Sequence, residues 1–379
     1  MDGSISIYIH VPFCVRKCRY CDFPSFSGLS GRMEEYFSAL LTEIREEKLT
    51  EGRTAETVYI GGGTPSCVPP AFISGIMEEL SKKYRISPDA EISMEMNPGT
   101  VNPEALKAYR EAGINRVSLG CQSFNDQSLK RLGRIHSSED ILKTFDLLRE
   151  EGFENLNIDL ISSLPGEKKK DLIRSVEAAL SLKPEHISVY SLILEPGTEL
   201  YREYEENRLK DLPDEDETLE NDLAVREMLK DAGYSRYEIS NYSLTGRECA
   251  HNRVYWNRGD YRGFGLSAAS LTGNRRFANT DDLVYIKSPG KTLKEDRILS
   301  DREAMEEFMF LGLRQCSGIS EAGFMKAFGY SITEVFAKEL QKQIKDGFME
   351  HSGDRYYYND RGLDVSNILL AEFIAYDKI

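Results

Sequence analysis

Along the first half of this 379-residue chain the spacing of apolar positions switches repeatedly between two periods. Short β-branched or alternating runs at residues 6–11, 56–60, 91–96, 115–121, 155–161 and 186–194 read as strands. Between them, residues 32–49, 70–83, 103–111, 140–152 and 169–182 carry helical spacing, and Pro70 and Pro103 stand where a first helical turn tolerates proline. Six strands alternating with helices predict an α/β fold: a parallel sheet with right-handed crossovers, as an open doubly wound sheet or as a full or partial (β/α) barrel. After residue 194 the rhythm changes. Residues 200–234 read as helical and charged, and 235–290 are rich in Tyr, Asn, Gly and Arg with little periodicity. Residues 303–313, 321–328 and 332–345 then read as helices, a hairpin turns around Ser352-Gly353-Asp354, and a last helix starts at Asp364. Three helices and a hairpin predict a small winged-helix-like α+β tail. The expected organisation is a barrel over 1–235, an irregular connecting region over 236–295 and the tail over 296–379.

Composition narrows the function classes. With 48 basic and 63 acidic residues the net charge is −15, which argues against a nucleic-acid partner, because phosphate binding needs a positive face. The tail shows no basic stripe, so packing or partner binding is the better expectation for it than DNA. The acidic block at 211–220 reads as a solvated helix start or loop. No stretch approaches the ~20 apolar residues of a membrane span, and residues 1–5 lack the basic start and apolar core of a signal peptide. A cytoplasmic location is expected. In that reducing compartment seven cysteines, an odd number, are not a disulfide framework.

Three of them sit on one loop. The first strand runs into Cys14-Val15-Arg16-Lys17-Cys18-Arg19-Tyr20-Cys21. Thiolates spaced C-x3-C-x2-C can ligate three irons of a [4Fe–4S] cubane and leave the fourth without a protein ligand. That open iron can chelate the amino and carboxylate groups of a methionine moiety and pass an electron to its sulfonium. Arg16, Lys17 and Arg19 are expected to favour thiolate over thiol. The competing reading is a zinc site of the same cysteines with His10, although structural zinc normally uses paired C-x2-4-C knuckles. At the end of the second strand, Gly61-Gly62-Gly63-Thr64-Pro65 is expected to let a ligand approach and to offer N–H groups to a carboxylate. Glu95, Gln122 and Asp159 fall in or at the ends of the next three strands, where parallel sheets gather ligand groups.

With Tyr20 before the last cysteine, the loop resembles the radical S-adenosylmethionine superfamily. Tyr8-Ile9-His10-Val11-Pro12-Phe13-Cys14, Gly61-Gly62-Gly63-Thr64-Pro65, Asn157-Ile158-Asp159-Leu160-Ile161 and Leu164-Pro165-Gly166 are similar to the oxygen-independent coproporphyrinogen III oxidase (HemN) group within it. The resemblance covers about residues 5–270, and the tail fits the group's C-terminal domain. It implies a partial (β/α)6 barrel with the cluster on Cys14, Cys18 and Cys21 at its mouth. It further implies S-adenosylmethionine beside Gly62, Gly63 and Thr64, with Tyr8, Tyr20, Glu95, Gln122, Arg134, Asp159 and the backbone near Ile193 as further contacts. Two departures from the oxidase favour the group's haem-chaperone branch. A further cysteine two positions after the cluster motif is replaced in Cys21-Asp22-Phe23, and the first strand starts almost at Met1. Glu248-Cys249-Ala250-His251-Asn252-Arg253-Val254-Tyr255-Trp256 carries that branch's H-N-x-x-Y-W element and the chain's single Trp. Gly263-Phe264-Gly265-Leu266-Ser267-Ala268-Ala269-Ser270 lacks the histidine many of that branch carry after the alanine.

His251 and Cys249 are therefore candidate axial haem ligands; the alternative is a loop histidine bonded to backbone beside a small buried cysteine. His10 is expected to orient the cysteine loop, and Cys67, Cys121 and Cys316 to pack. No catalytic residue is assigned. The expected function is to bind haem and deliver it to an acceptor protein, with a low-potential electron donor serving the cluster. The alternatives are an active coproporphyrinogen III oxidase or another radical enzyme of the group.

Overall fold

The computed structural model describes residues 3–374. At its centre six parallel strands pair in sequence order: β1 (Ser4–Val11), β2 (Thr54–Gly62), β3 (Arg85–Met96), β4 (Arg116–Gln122), β5 (Leu156–Ser162) and β6 (His186–Ser191). The sheet is covered on both sides, and in β4 every residue but Gln122 is buried although polar and apolar side chains alternate along it. The crossovers carry α1 (Met33–Glu46), α2 (Pro70–Lys83), α3 (Pro103–Glu111), α4 (Asp126–Arg131), α5 (Ser138–Glu150) and α6 (Lys169–Ser181). Ser137 begins α5 in a reciprocal capping box with Asp140, so that helix starts where its local chemistry dictates. α7 (Glu199–Glu205) and α8 (Glu215–Asp231) follow, the latter opened by the acidic block, whose Asp214 and Glu217 cap each other.

The barrel does not close. β6 meets the antiparallel β8 (Asn241–Ser243), which in turn holds the two-residue β7 (Ser235–Arg236). On the other side β1 pairs in parallel with β9 (Tyr261–Phe264), then antiparallel β10 (Ala269–Thr272), β11 (Arg275–Asn279) and β12 (Leu293–Ile298) complete a twelve-stranded sheet. Within the stretch expected to be irregular, 236–295, short strands extend the sheet at both of its edges. Its strands are short, and β9 gains its register from β1, far away in sequence, so periodicity alone could not reveal them. Its Phe264, Leu266 and Tyr285 pack into the barrel's own core.

The tail has a separate core. α10 (Asp301–Gly312), α11 (Glu321–Phe328) and α12 (Ile332–Lys345) surround Phe324 and Phe336, with a three-stranded sheet of β13 (Ile319–Ser320), β14 (Met349–Ser352) and β15 (Arg355–Tyr358). This matches the expected winged-helix-like arrangement. The last helical stretch is split into α13 (Asp360–Asp364) and α14 (Ser366–Ala371).

One buried ionic cluster ties the extension to α1. Arg262 of β9 donates to Glu43 at 2.9 Å and to Glu47 at 2.6 Å, and its guanidinium lies 4.1 Å from the Phe264 ring centroid. Glu43 also accepts from Tyr285, Asn279 and the Gly265 N–H, so both of its carboxylate oxygens are satisfied. Removing one member strands the rest in a low dielectric. Arg262→Met is expected to cost about 3–5 kcal/mol of unfolding free energy, read from urea denaturation. A loss below ~1 kcal/mol would show that water reaches the two carboxylates.

Candidate functional site

β1 ends in a turn that its own histidine holds. His10 Nε2 donates to the Pro24 carbonyl at 2.8 Å, which fixes the tautomer, so Nδ1 accepts from the Tyr8 hydroxyl at 3.0 Å. Both nitrogens are engaged, and His10 is not a fourth ligand for zinc. It pins the far end of the cysteine loop instead, as expected.

Cys14, Cys18 and Cys21 line one cavity of about 480 Å³. Among the described residues no three His, Cys, Asp or Glu are placed to hold a single metal ion. A cubane does not ask for that, since each thiolate takes a different iron. Each of two sulfurs already has a donor: the Thr64 hydroxyl lies 3.6 Å from Cys14 and Arg134 Nη1 lies 3.5 Å from Cys18. The expected thiolate-favouring effect of the loop's cations is corrected by burial. Desolvation pushes the Cys14 thiol up and the Cys21 thiol up to about 11, and Lys17 opposes this only weakly. Lys17 is bonded to the Phe23 and Ser25 carbonyls, and Arg19 is paired with Glu199 and Glu203. Metal binding itself must displace the thiol protons.

The glycine run works differently from the expectation too. Its N–H groups are not free for a carboxylate. Gly62 donates to Glu95 at 3.0 Å, Gly63 to Val11 and Thr64 to Phe13, each at 2.8 Å. What glycine supplies is room. Gly62 has φ +116°, and a Cβ there would lie 2.6 Å from the His10 ring; at Gly63 one would lie 2.7 Å from the Phe13 carbonyl oxygen. The run lets β2 press against the base of the cysteine loop.

Beyond it the strand ends converge. Glu95 accepts from Tyr59 at 3.0 Å as well as from Gly62, and Asp159 accepts from Ser118 at 2.7 Å and Asn157 at 2.8 Å. Gln122 sits at φ +67° where the β4–β5 register slips, which turns its side chain to the cavity while Cys121 faces the core. Arg134 donates to the Gly120 carbonyl at 2.5 Å and to Asn97 at 2.8 Å, and Asn97 in turn donates to Thr64 at 2.9 Å. Gly62, Gly63, Thr64, Glu95, Gln122, Arg134 and Asp159 thus share one cavity with the three cysteines, with Tyr20 in its wall and the exposed Ile193 at its rim. Asn97 and Tyr59 escaped the sequence reading. Asn97, next to Pro98, resembled an ordinary turn residue.

Three predicted residues fall elsewhere. Tyr8 lines a second cavity. His251 and Cys249, the candidate haem ligands, line neither of these cavities. His251 is buried on α9 (Ala250–Trp256) with both nitrogens engaged, to Thr57 at 2.7 Å and Tyr255 at 2.8 Å, and it stacks on Tyr59. Burial pushes it down to about 3. Cys249 is fully buried against Glu91, its thiol pushed up to about 12 by desolvation. Both are buried and bonded to neighbouring side chains, His251 to Thr57 and Tyr255 and Cys249 to Glu91.

A Radical SAM superfamily domain matches residues 8–179, and a HemN C-terminal domain matches residues 299–365. Fold, cysteine loop and domain order together define a radical S-adenosylmethionine protein with a HemN-type tail. The chain is 35% identical over 376 residues to the heme chaperone HemW of Bacillus subtilis (strain 168), covering 98% of this chain and 99% of that protein. It is 32% identical over 378 residues to HemW of Escherichia coli (strain K12), covering 98% of each. The chain belongs to the HemW family. The solved structure of coproporphyrinogen III oxidase (HemN) from Escherichia coli shares the fold, with a TM-score of 0.86 over 99% of this chain and 91% of that one at 23% identity.

The superfamily brings a [4Fe–4S] cluster and S-adenosylmethionine with it. The residues fit both: three thiols on one loop with hydrogen-bond donors at two sulfurs, and beside them a cavity of ligand size. Glu95 gives the fit a measurable property. Burial, then Asp159, pushes its carboxyl up to about 7 against the Gly62 and Tyr59 hydrogen bonds. With a folded value above the unfolded one, its contribution to stability is full below about pH 4.5 and is lost as pH rises to about 7. A cation bound beside it favours the ionised form. Binding of S-adenosylmethionine is therefore expected to release a proton near about pH 6, fading by about pH 8.5. Calorimetry in buffers of different ionisation heat reads this directly, and Glu95→Gln should abolish it.

Proposed function

We propose that this chain is a haem chaperone that carries a [4Fe–4S] cluster on Cys14, Cys18 and Cys21 with S-adenosylmethionine beside it, and hands haem to an acceptor protein. The observation that supports this is its near full-length similarity to proteins named heme chaperone HemW. Bound together, cluster and cofactor supply one-electron reduction of a sulfonium. The chain's own residues prepare the place for it. Thr64 and Arg134 direct hydrogens at two cluster sulfurs and stabilise their negative charge. Glu95 and Asp159 line the cavity where they would meet a cationic cofactor and its ribose hydroxyls, with Tyr20 in the wall and Ile193 at the rim. A low-potential donor reaches the cluster from the exposed side of its loop, where Val15 and Phe23 stand out to solvent. We place the protein in the cytoplasm; among the described residues no helix is long and apolar enough to cross a membrane.

Anaerobic reconstitution tests this. The protein is expected to hold about four irons and about one haem per chain, with a Soret band. Changing Cys14, Cys18 or Cys21 to Ala should remove the cluster, whereas Cys67→Ala should leave it. No protoporphyrinogen should form from coproporphyrinogen III with reductant and S-adenosylmethionine supplied. Rapid decarboxylation without haem binding would make the oxidase the correct reading.

A further inference from the structure

Tyr8 leads into a second cavity of about 440 Å³, between the barrel, β9–β11 and α10, of a size that suits a small-molecule ligand. Aromatic rings form its walls. Tyr255 stands edge-on to Tyr261 at 4.7 Å, Trp256 lies alongside, and Ala268, Leu271 and Leu311 add apolar surface. Its polar groups divide into two kinds. The hydroxyls of Tyr8 and Tyr255 are bonded to His10 and His251. The Tyr261 hydroxyl makes no hydrogen bond among the described residues, and the buried Arg276 Nε and Trp256 Nε1 have no partner either. Arg276 keeps one anchor, from Nη2 to Glu307 at 2.9 Å, so its guanidinium is held in place with donor capacity left over.

A flat aromatic space with one unused phenol and one fixed, incompletely paired cation matches a flat molecule carrying a Lewis-acidic centre and a peripheral anion. We propose that this cavity holds the haem, with the Tyr261 oxygen as axial ligand to ferric iron and Arg276 facing a propionate; this rests on the haem-chaperone reading above. Tyrosine is an established type of haem ligand. On ligation the O–Fe bond replaces the O–H bond, the proton leaves to water, and no electron is transferred. Burial, with Glu307 and Glu295 adding to it, raises the Tyr261 pKa, while Arg276 and Arg258 act in the opposite sense and favour the phenolate. The assignment also explains why His251 needs no opening: it braces Tyr255, a wall of the cavity, from behind. Phe23 lines both cavities, so the cargo lies next to the cysteine loop.

The full chain, anaerobically reconstituted, is titrated with ferric haem while the Soret and visible bands are followed. Tyr261→Phe is expected to shift the bands away from those of a tyrosinate complex and to weaken haem at least about tenfold. Tyr261→His should restore tight binding with the spectrum of a histidine-ligated haem. Arg276→Gln should weaken haem but leave iron octaethylporphyrin, which lacks propionates, unchanged. Cluster absorbance and circular dichroism report whether each variant is folded. If wild type binds haem and Tyr261→Phe and Tyr261→His both match it in band position and affinity, the haem lies elsewhere and the inference fails. If wild type binds no haem, the chaperone reading falls first.

Discussion

A parallel sheet that curls without closing leaves polar side chains in its concave face, and the rest of this structure depends on satisfying them. Asn157 is the centre of that network. It donates to Ser118 at 2.7 Å and to Asp159 at 2.8 Å, and accepts from His186 Nδ1 at 2.6 Å, while His186 Nε2 accepts from Tyr237 at 2.8 Å. The bonds need a neutral imidazole, and burial, aided by Arg116, holds the His186 pKa well below its usual value. The chain of contacts runs from the lower lumen to Asp159 at the mouth. An acid held this way points where the strands direct it and does not swing into solvent.

The lower end is closed by a helix rather than by sheet. Glu91 of β3 accepts from the Ala250 and His251 N–H groups at 2.9 and 3.1 Å, meeting the unsatisfied donors at the start of α9. With Glu91 reaching it from β3 and His251 bonded to Thr57 and stacked on Tyr59 of β2, α9 is fixed to two barrel strands at once. The His-Asn-x-x-Tyr-Trp segment therefore serves two surfaces. Its Asn252 lines the lumen cavity, and its Tyr255 and Trp256 line the aromatic one.

Much of the architecture was legible because it is written locally. The helices at 70–83, 103–111, 321–328 and 332–345 carry their own caps or N-terminal prolines, and the structure places them with the same bounds. The cysteine loop and the strand-end acids were legible because chemistry of that kind is rare at such spacing. What was lost depends on distant partners. β9 to β12 pair through β1, and Arg262 reads as an unremarkable charge until Glu43 of α1 and Glu47 just past its end come to it. Tyr261 and Arg276 look like surface residues in a loop-rich stretch. The glycine run was recognised as a ligand site, yet its donors are spent on Glu95, Val11 and Phe13, a fact only the fold can supply. The polar alternation in Ser118-Leu119-Gly120, Asn157-Ile158-Asp159 and His186-Ile187-Ser188 was the available signal for the lumen, and it marks every second position as inward.

The pairing of Ser6 with Tyr261 has a bearing on how the molecule is made. Chains emerge from the ribosome N-terminus first, at roughly 5–20 residues per second. β1 can find β2 early, but its other edge stays unpaired until β9 has emerged, long after the cysteine loop is in solution. For that interval an apolar strand with open backbone donors and acceptors is available to any other extended chain. In the finished sheet β1 has a partner on each side. The edge on the β9 side is β12, Leu293-Lys294-Glu295-Asp296-Arg297-Ile298, where four consecutive charges discourage a further strand. The nascent chain is thus least protected beside its metal-binding loop, and translation past residue 264 gives β1 its second partner and ends that exposure.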